Sequence, residues 1–186
     1  PGNQSVFSTE QQQAVITLRQ QFAELMLRSD SMLGVPSSIY NPDGFLTDPS
    51  TDPAVAIGRN YFDQNRTVFG LTVDDLSELQ TTDQHVSSTS GTTHIYLQQQ
   101  YNGISVFHGA ANISVDSAGR IVVIGNSLVP SLADSVNTLV PTLSPGAAAT
   151  RGAENLGLQV TGPLNIMSGP SGADRRVVMS NGGVSL

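Results

Sequence analysis

The sequence predicts an α+β fold in which helices pack on one face of an antiparallel β-sheet. Two segments of the N-terminal half repeat apolar residues at helical intervals, and a loop rich in Pro and Gly separates them. Residues 93–130 instead alternate apolar and polar side chains and contain two turn signals, which is typical of an antiparallel meander. A further helix signal and a strand signal follow residue 143.

Ser8 or Thr9 is predicted to cap the first helix, and Thr9 with Gln12 has the spacing of a capping box. Gly34 and Pro36 end the helical pattern. One apolar stripe runs along this helix and consists of Val15, Leu18, Phe22, Leu25 and Met26. Residues 41–52 then carry the Pro and Gly of a loop.

The second predicted helix has Asp52 as its N-cap and Pro53 as its first residue, which is a favoured pairing. We expect its apolar side to pack on the sheet; that side is formed by Ile57, Tyr61 and Val68, with Phe62 and Phe69 next to them. A short acidic segment, residues 73–79, leads toward the strands. Its carboxylates at Asp74, Asp75 and Glu78 are ordinary for the first turn of a helix.

The first strand of the predicted meander places Ile95, Leu97 and Tyr101 on one face, with Gln99 between them. A buried amide at Gln99 must form hydrogen bonds, since each missing one costs about 1–3 kcal/mol. The residues alone leave open whether this end of the strand is buried or wet.

Two turns connect the strands of the meander. Asn102 and Gly103 both tolerate positive φ, so they predict a tight type I′ hairpin turn. Residues 116–119 predict a second turn, which leads into the apolar run 121–124. The strand between the turns is predicted to place Phe107, Gly109, Ala111, Ile113 and Val115 on one face.

The polar, Pro-bearing segment 130–145 is the best domain boundary. Ser144 and Pro145 predict the cap and first residue of a new helix, Gly157 its end, and residues 175–179 one final strand. We therefore divide the chain into an N-terminal helix (1–33), a main unit (34–130), a linker (131–142) and an incomplete second unit (143–186). The apolar side of the new helix is predicted to consist of Ala149, Ala153 and Leu156. We expect the chain to be a piece of a longer precursor.

Composition excludes several function classes. The 186 residues carry a net charge of −7, and all eight basic residues are Arg, with no basic cluster beyond the pair Arg175-Arg176, so a nucleic-acid surface is not expected. No apolar run approaches the ~20 residues of a membrane span. The absence of Cys excludes disulfides and thiolate metal sites. Low charge and abundant Ser, Thr, Gln, Asn and Gly fit an exported protein whose signal peptide is not in this chain.

The sequence shows no catalytic, cofactor-binding or metal-binding constellation. His85, His94 and His108 are predicted in strands or loops, without the His-Glu-x-x-His spacing of a zinc peptidase. His94 and His108 could meet across the hairpin, but two imidazoles make a weak site, and ordinary surface or half-buried residues are the favoured interpretation. Arg175 and Arg176 form a candidate processing site, although solvent-facing charges at a strand edge explain them more simply.

Several of these segments together resemble the core of the fungalysin/thermolysin propeptide domain. The matching residues are Gln99, Tyr101-Asn102-Gly103, Ile104 to Phe107, and Asp116 with Gly119 and Arg120 in the pattern Asp-x-x-Gly-Arg. Gly34 to Leu46 and Phe62 to Leu71 resemble the upstream part of fungalysin-type precursors, and Leu143 to Leu158 resembles the opening helix of a PepSY domain. The resemblance implies a cystatin-like fold, with helices on a curved antiparallel sheet, followed by a partial PepSY-like unit.

The same resemblance implies the propeptide of a secreted zinc metalloprotease, which acts as an intramolecular chaperone and inhibitor until it is removed. Its partner would be the catalytic domain of the same precursor, and zinc would belong to that domain, with none in this chain. A stand-alone extracellular module that binds or inhibits another protein, without a fused catalytic domain, is the alternative. A His-Glu-x-x-His helix encoded after Leu186 supports the propeptide, and a stop codon there supports the alternative.

Overall fold

The computed structural model describes residues 7–22, 24–138 and 140–184. The chain divides into two compact units, Pro1–Ser135 and Val136–Leu186. The division falls inside the segment predicted as a linker. None of the helices in the described ranges combines the length and apolar content that crossing a bilayer requires.

The first unit contains a six-stranded sheet with helices on it, which confirms the predicted α+β class. The strands are β1 (Met26–Asp30), β2 (Val35–Tyr40), β3 (Gln80–Val86), β4 (Thr93–Tyr101), β5 (Ile104–Val115) and β6 (Ile121–Asn126). They lie in the order β1-β2-β6-β5-β4-β3, and every neighbouring pair is antiparallel. The helices are α1 (Thr9–Gln21), α2 (Ala54–Gln64), α3 (Arg66–Phe69), α4 (Val73–Ser77) and α5 (Leu132–Ser135).

One apolar core joins the helices to one face of the sheet. Alternate residues of the strands, among them Ile39, Ile95, Leu97, Ile113 and Ile124, are buried with side chains of α1, α2 and α3. The helical members include Ile57, Tyr61, Phe62, Val68 and Phe69, which is the predicted packing face of the second helix. Because side chains alternate along a strand, the other face of the sheet carries residues such as Tyr96, Gln98 and Asn112, most of them polar.

The central meander β4-β5-β6 is confirmed. Ile95 pairs with Ile113 across β4 and β5, and Ile113 pairs in turn with Ile124 of β6. At the β4-β5 turn, Asn102 has φ 51° and Gly103 has φ 75°. Both values are positive, as a type I′ turn requires.

The prediction that Phe107 shares a face with Ala111 and Ile113 is wrong, since Phe107 is 89% exposed whereas the other two side chains are buried. Gln98 pairs with Ala110 and Gln100 with Ser105, so residues 106–109 of β5 lie opposite the single residue Gln99. We call this irregularity the 106–109 bulge. The extra residues interrupt the alternation on which the prediction depended.

The N-terminal region differs most from the prediction. Helix α1 ends at Gln21, and the strands β1 and β2 form a hairpin where the helix was expected to continue. Leu25 and Met26 continue the helical spacing, but they lie beyond the helix. Pro36 is in β2, beside a register shift, where a strand tolerates a residue without an N–H.

The predicted cap Ser8 of α1 is confirmed, but the capping box of α1 and the N-cap of α2 each lie one residue away from the prediction. Ser8 caps α1, and its capping box is completed by Gln11; the expected box of Thr9 and Gln12 is wrong. Pro53, and not Asp52, is the N-cap residue of α2, which has no side-chain cap. Patterns of capping residues therefore locate these helices but do not fix their first residue.

The second unit consists of one helix and one hairpin. Helix α6 (Pro145–Asn155) is capped by Ser144, as predicted, because its hydroxyl accepts a hydrogen bond from Ala147 N–H. Leu156, predicted on the apolar side of this helix, is exposed just after it. The expectation of a single strand is wrong, since β7 (Ile166–Ser171) pairs antiparallel with β8 (Arg176–Met179).

Candidate functional site

Gln99 is completely buried between Leu97 and Tyr101 on the core face of β4. Its side-chain Nε2 donates to the carbonyl oxygen of Val129 at 2.9 Å, and its Oε1 accepts from Val129 N–H at 2.8 Å. The amide therefore pairs with Val129 as a strand residue would. It holds the segment that follows β6 against β4 and leaves neither group unsatisfied.

Gln98, which the sequence did not single out, supports the neighbouring bulge. Its Nε2 lies 2.8 Å from the carbonyl oxygens of both Val106 and Gly109 and 3.1 Å from that of Gln99. Ser127 Oγ donates to the carbonyl oxygen of His108 at 2.6 Å. Side chains thus satisfy carbonyl groups that lost their ladder partners, a role that no local sequence pattern reveals.

The turn that begins at Asp116 is closed by its own side chain. Asp116 Oδ1 accepts from the backbone N–H of Ala118 at 3.0 Å and of Arg120 at 2.8 Å. Its Oδ2 accepts from Arg120 Nε at 2.8 Å and Nη2 at 2.6 Å. The Arg120 guanidinium also lies 3.6 Å from the centroid of the Phe45 ring. This turn is therefore attached to the loop before α2.

Gly119 is required at the same turn. Its φ is 75°, and an added Cβ would overlap the carbonyl oxygen of Ser50. Ser50 N–H donates to the carbonyl oxygen of Ala118 at 3.1 Å, so the two backbones are in direct contact. The spacing Asp-x-x-Gly-Arg therefore combines a carboxylate, a residue without Cβ and a cation within one turn.

The pKa of the Asp116 carboxyl reflects opposing influences. Partial burial raises it, but hydrogen bonds from the Arg120 side chain and from the Arg120 and Ala118 N–H groups lower it, as does the Arg120 charge. The net result is a pKa below the ordinary value for Asp. The carboxylate consequently stays ionised into moderately acidic solution.

Asp75 has a larger role than the expected one in a negative first helical turn. Its Oδ2 accepts from Thr72 N–H, Thr72 Oγ1 and Ser131 N–H, and its Oδ1 accepts from Leu132 N–H, all between 2.8 and 3.1 Å. Thr72 caps α4 in return. One buried carboxylate therefore joins α4 to the start of α5, where the first unit ends.

The histidines do not form the arrangement considered from the sequence. His94 pairs with His85 of β3, with ring centroids 5.1 Å apart, and its Nδ1 lies 3.0 Å from Ser114 Oγ. His94 lies opposite Ser114, and His108 is in the 106–109 bulge, so the approach of His94 and His108 that the sequence left open, and disfavoured, does not occur. Within residues 7–22, 24–138 and 140–184, no three His, Asp or Glu side chains are grouped as a metal site requires.

Arg175 and Arg176 are both exposed. Arg175 is in the turn between β7 and β8 with φ 49°, and Arg176 begins β8. The pair is accessible, and its role as a processing site stays a prediction.

A cleft of about 550 Å³ in the first unit lies between the ends of α1 and α2 and the loop 45–48. Tyr61 lines it, and among the described residues the buried hydroxyl of this side chain has no hydrogen-bond partner. Burial raises the pKa of Tyr61, so the hydroxyl stays protonated. Among the described residues that line this cleft, no nucleophile is hydrogen-bonded to a base.

Gln99, the 106–109 bulge and the turn from Asp116 to Arg120 all lie in one segment, which runs from the end of α4 through β6 to Leu128. Residues 77–128 match the Fungalysin/Thermolysin Propeptide Motif. The match includes Gln99, Asn102 and Gly103, the 106–109 bulge and the turn from Asp116 to Arg120. It covers a minor part of the chain and indicates a propeptide of fungalysin/thermolysin-type proteases. No curated protein matches the chain.

The matched segment depends on residues outside it for part of its structure. Val129, the partner of Gln99, follows immediately, and Phe45 and Ser50 contact the turn at Arg120 from the loop before α2. The motif therefore describes the meander, while the preceding helices and loop complete the folded unit around it.

Proposed function

We propose that this chain is the pro-region of a secreted zinc metalloprotease and acts as intramolecular chaperone and inhibitor of the catalytic domain until it is removed. The match of residues 77–128 to the propeptide motif is the observation that carries this proposal. The same match supports an exported, extracellular protein whose partner is the protease domain of its own precursor. The second unit then corresponds to the beginning of a PepSY-like domain.

The physical basis of both activities is binding to the native protease. A folded domain that binds the native state, and not its unfolded competitors, stabilises that state by mass action. The first unit is suited to this because its core cluster extends from Val15 to Leu128 and involves both helices and sheet. Inhibition follows if the bound chain, or the segment that leaves it, covers the substrate cleft.

The reading frame after Leu186 provides the first test. A His-Glu-x-x-His helix encoded downstream supports a fused protease, since two His one turn apart hold zinc and the Glu activates water. A stop codon instead supports a stand-alone extracellular binding module.

Binding and refolding of the matched protease provide the second test. We expect the purified chain to bind its own mature catalytic domain more tightly than it binds an unrelated thermolysin-like enzyme, and to raise the yield of active protease on refolding. Calorimetry measures the first, and recovered peptidase activity, compared with refolding in the absence of the chain, measures the second. If neither this chain nor one extended to the catalytic domain binds, the stand-alone module becomes the better account.

A further inference from the structure

Phe107 is the most prominent apolar side chain on the 106–109 bulge. It is 89% exposed, and the ring of His108 packs edge-on against it with centroids 4.1 Å apart. His108 has φ 59°, which is strained for a residue with a Cβ. A phenyl group left in water contributes almost no burial energy to folding, and a strained neighbour opposes stability, so this arrangement points to a function beyond folding.

The bulge holds this ring on a fixed backbone. Gln98 Nε2 contacts the carbonyl oxygens of Val106 and Gly109, and Ser127 Oγ donates to that of His108. Gly109 is closely packed, because an added Cβ would lie 2.8 Å from Val106 Cβ and 3.1 Å from Gln99 Oε1. Bulges commonly redirect a side chain, and a preorganised backbone lowers the entropic cost of binding through that side chain.

The surroundings of Phe107 have the form of a small interaction site. Ile104, 38% exposed, and half-buried Val106 extend the apolar surface slightly, while Ser105 and His108 are exposed polar neighbours. An aromatic ring surrounded by polar side chains is typical of the residue that dominates an interface.

The size of this surface indicates what occupies it. A Phe side chain buries about 150–250 Å², whereas an interface between free proteins buries about 1,600 Å² in total. The surface is therefore too small to hold a second copy of this chain by itself. A domain tethered in the same polypeptide, in contrast, meets it at a millimolar effective concentration, so that a small anchor contributes usefully.

We propose that Phe107 is the anchor with which this chain docks on the metalloprotease domain of its own precursor, inserting its ring into an apolar pocket of that domain. This inference rests on the proposed function and specifies the surface that performs it. The 106–109 bulge holds the Phe107 side chain in a fixed orientation, and Gln98 and Ser127 are the residues that position the bulge.

Photo-cross-linking in the full precursor tests the proposal directly. A photoreactive benzoylphenylalanine replaces Phe107, and a matched precursor carries it at Met32, which is 92% exposed in the β1-β2 turn. We expect position 107 to cross-link to peptides of the catalytic domain within one precursor molecule, well above position 32. Cross-links only between two precursors, only within the pro-region, or none at all would overturn the proposal.

Affinity in trans separates the proposal from the proposed function. Phe107→Ala should weaken binding of the chain to the mature catalytic domain at least about 10-fold, and Met32→Ala should leave it within about 2-fold. Circular dichroism checks that both variants fold. If the wild-type chain binds and Phe107→Ala binds equally well, the docking surface is wrong but the pro-region function stands. If no catalytic domain is encoded or bound, both fail.

Discussion

At the scale of single residues, polar side chains replace backbone partners at three places where the first unit departs from regular pairing. Gln99 pairs with Val129, Asp116 closes the turn before β6, and Asp75 receives the N–H groups of Ser131 and Leu132. Each substitutes for a backbone contact that an irregular segment cannot make. The cost of an unpaired buried group explains why such residues are specific in type and position.

Substitution of Gln99 by Leu should therefore destabilise the fold although the two side chains are similar in size. Leu leaves the N–H and carbonyl groups of Val129 without their partner, which should lower the free energy of unfolding by about 2 kcal/mol or more. Urea denaturation measures this change. Gln100→Leu, on the opposite face of β4, is the control and should stay within about 0.5 kcal/mol of the wild type. Equal effects of the two substitutions would show that the pair with Val129 is unimportant.

The lowered pKa of Asp116 predicts a dependence of stability on pH. The ionised carboxylate stabilises the fold above the ordinary pKa of Asp, and this stabilisation is lost as pH falls through the lowered pKa. Asp116→Asn should thus lower the free energy of unfolding by about 1 kcal/mol at neutral pH, a modest value because surface ion pairs are screened by solvent. Below the lowered pKa the variant and wild type should converge. Thermal unfolding between pH 2 and about 7 tests this, and a constant difference would refute it.

At the scale of elements, the sequence predicts regular segments well and their interruptions poorly. Alternation correctly places Ile95 and Ile113 in the core, but it fails at Phe107 because four residues of β5 face one residue of β4. Such a bulge is specified by contacts with Gln98 and Ser127, which are distant in the chain or on another strand. The periodicity of β5 alone therefore cannot predict these contacts.

In the hairpin of β1 and β2, a regular pattern in the sequence continues where the regular structure does not. Leu25 and Met26 fall at helical spacing after α1, so the pattern alone favours a longer helix. The strand at Val35 is decided instead by pairing with β6 through residues 38–40, a long-range contact. Among the candidate site residues, the sequence predicts the local turn at Asp116. It does not predict that Gln99 pairs with Val129, or that Asp75 accepts hydrogen bonds from Ser131 and Leu132.

The β4-β5 turn provides a test at this scale. Gly103 has φ 75°, which a β-branched residue adopts only with strain, so Gly103→Val should lower the free energy of unfolding by more than ~1 kcal/mol. Gly103→Asn is the matched control, because Asn accepts positive φ more readily and should cost less. Differential scanning calorimetry compares the two melting temperatures. Unchanged stability in the Val variant would mean that this turn does not limit the register of the hairpin.

At the scale of the whole molecule, the two units differ in how much apolar surface they bury. The main core cluster lies entirely between Val15 and Leu128 of the first unit. In the second unit, among the described residues, Ala153 is the one buried apolar side chain, and β7 is exposed along its length. A two-stranded hairpin with so little core has marginal stability. The second unit should therefore open more readily than the first.

Limited digestion with trypsin should reveal this difference. The chain has eight Arg and no Lys, so few bonds are susceptible. We expect the earliest cut after Arg175 or Arg176, which are exposed at the turn of β7 and β8. Arg120 is paired with Asp116, and Arg59 Nη2 donates to the carbonyl oxygen of Leu79, so cleavage there should wait for unfolding of the first unit.

Mass spectrometry of the time course identifies the cuts, and the double variant Arg175→Gln with Arg176→Gln is the control. It should abolish the first cleavage and leave later fragments of the first unit unchanged. Early cutting after Arg59 or Arg120 would instead show that the first unit opens as easily as the second.

The site used by trypsin also bears on processing: a natural terminus found at Arg176 in secreted material would support this pair as the processing site. Secreted chains that keep Arg176 inside a longer fragment would exclude it.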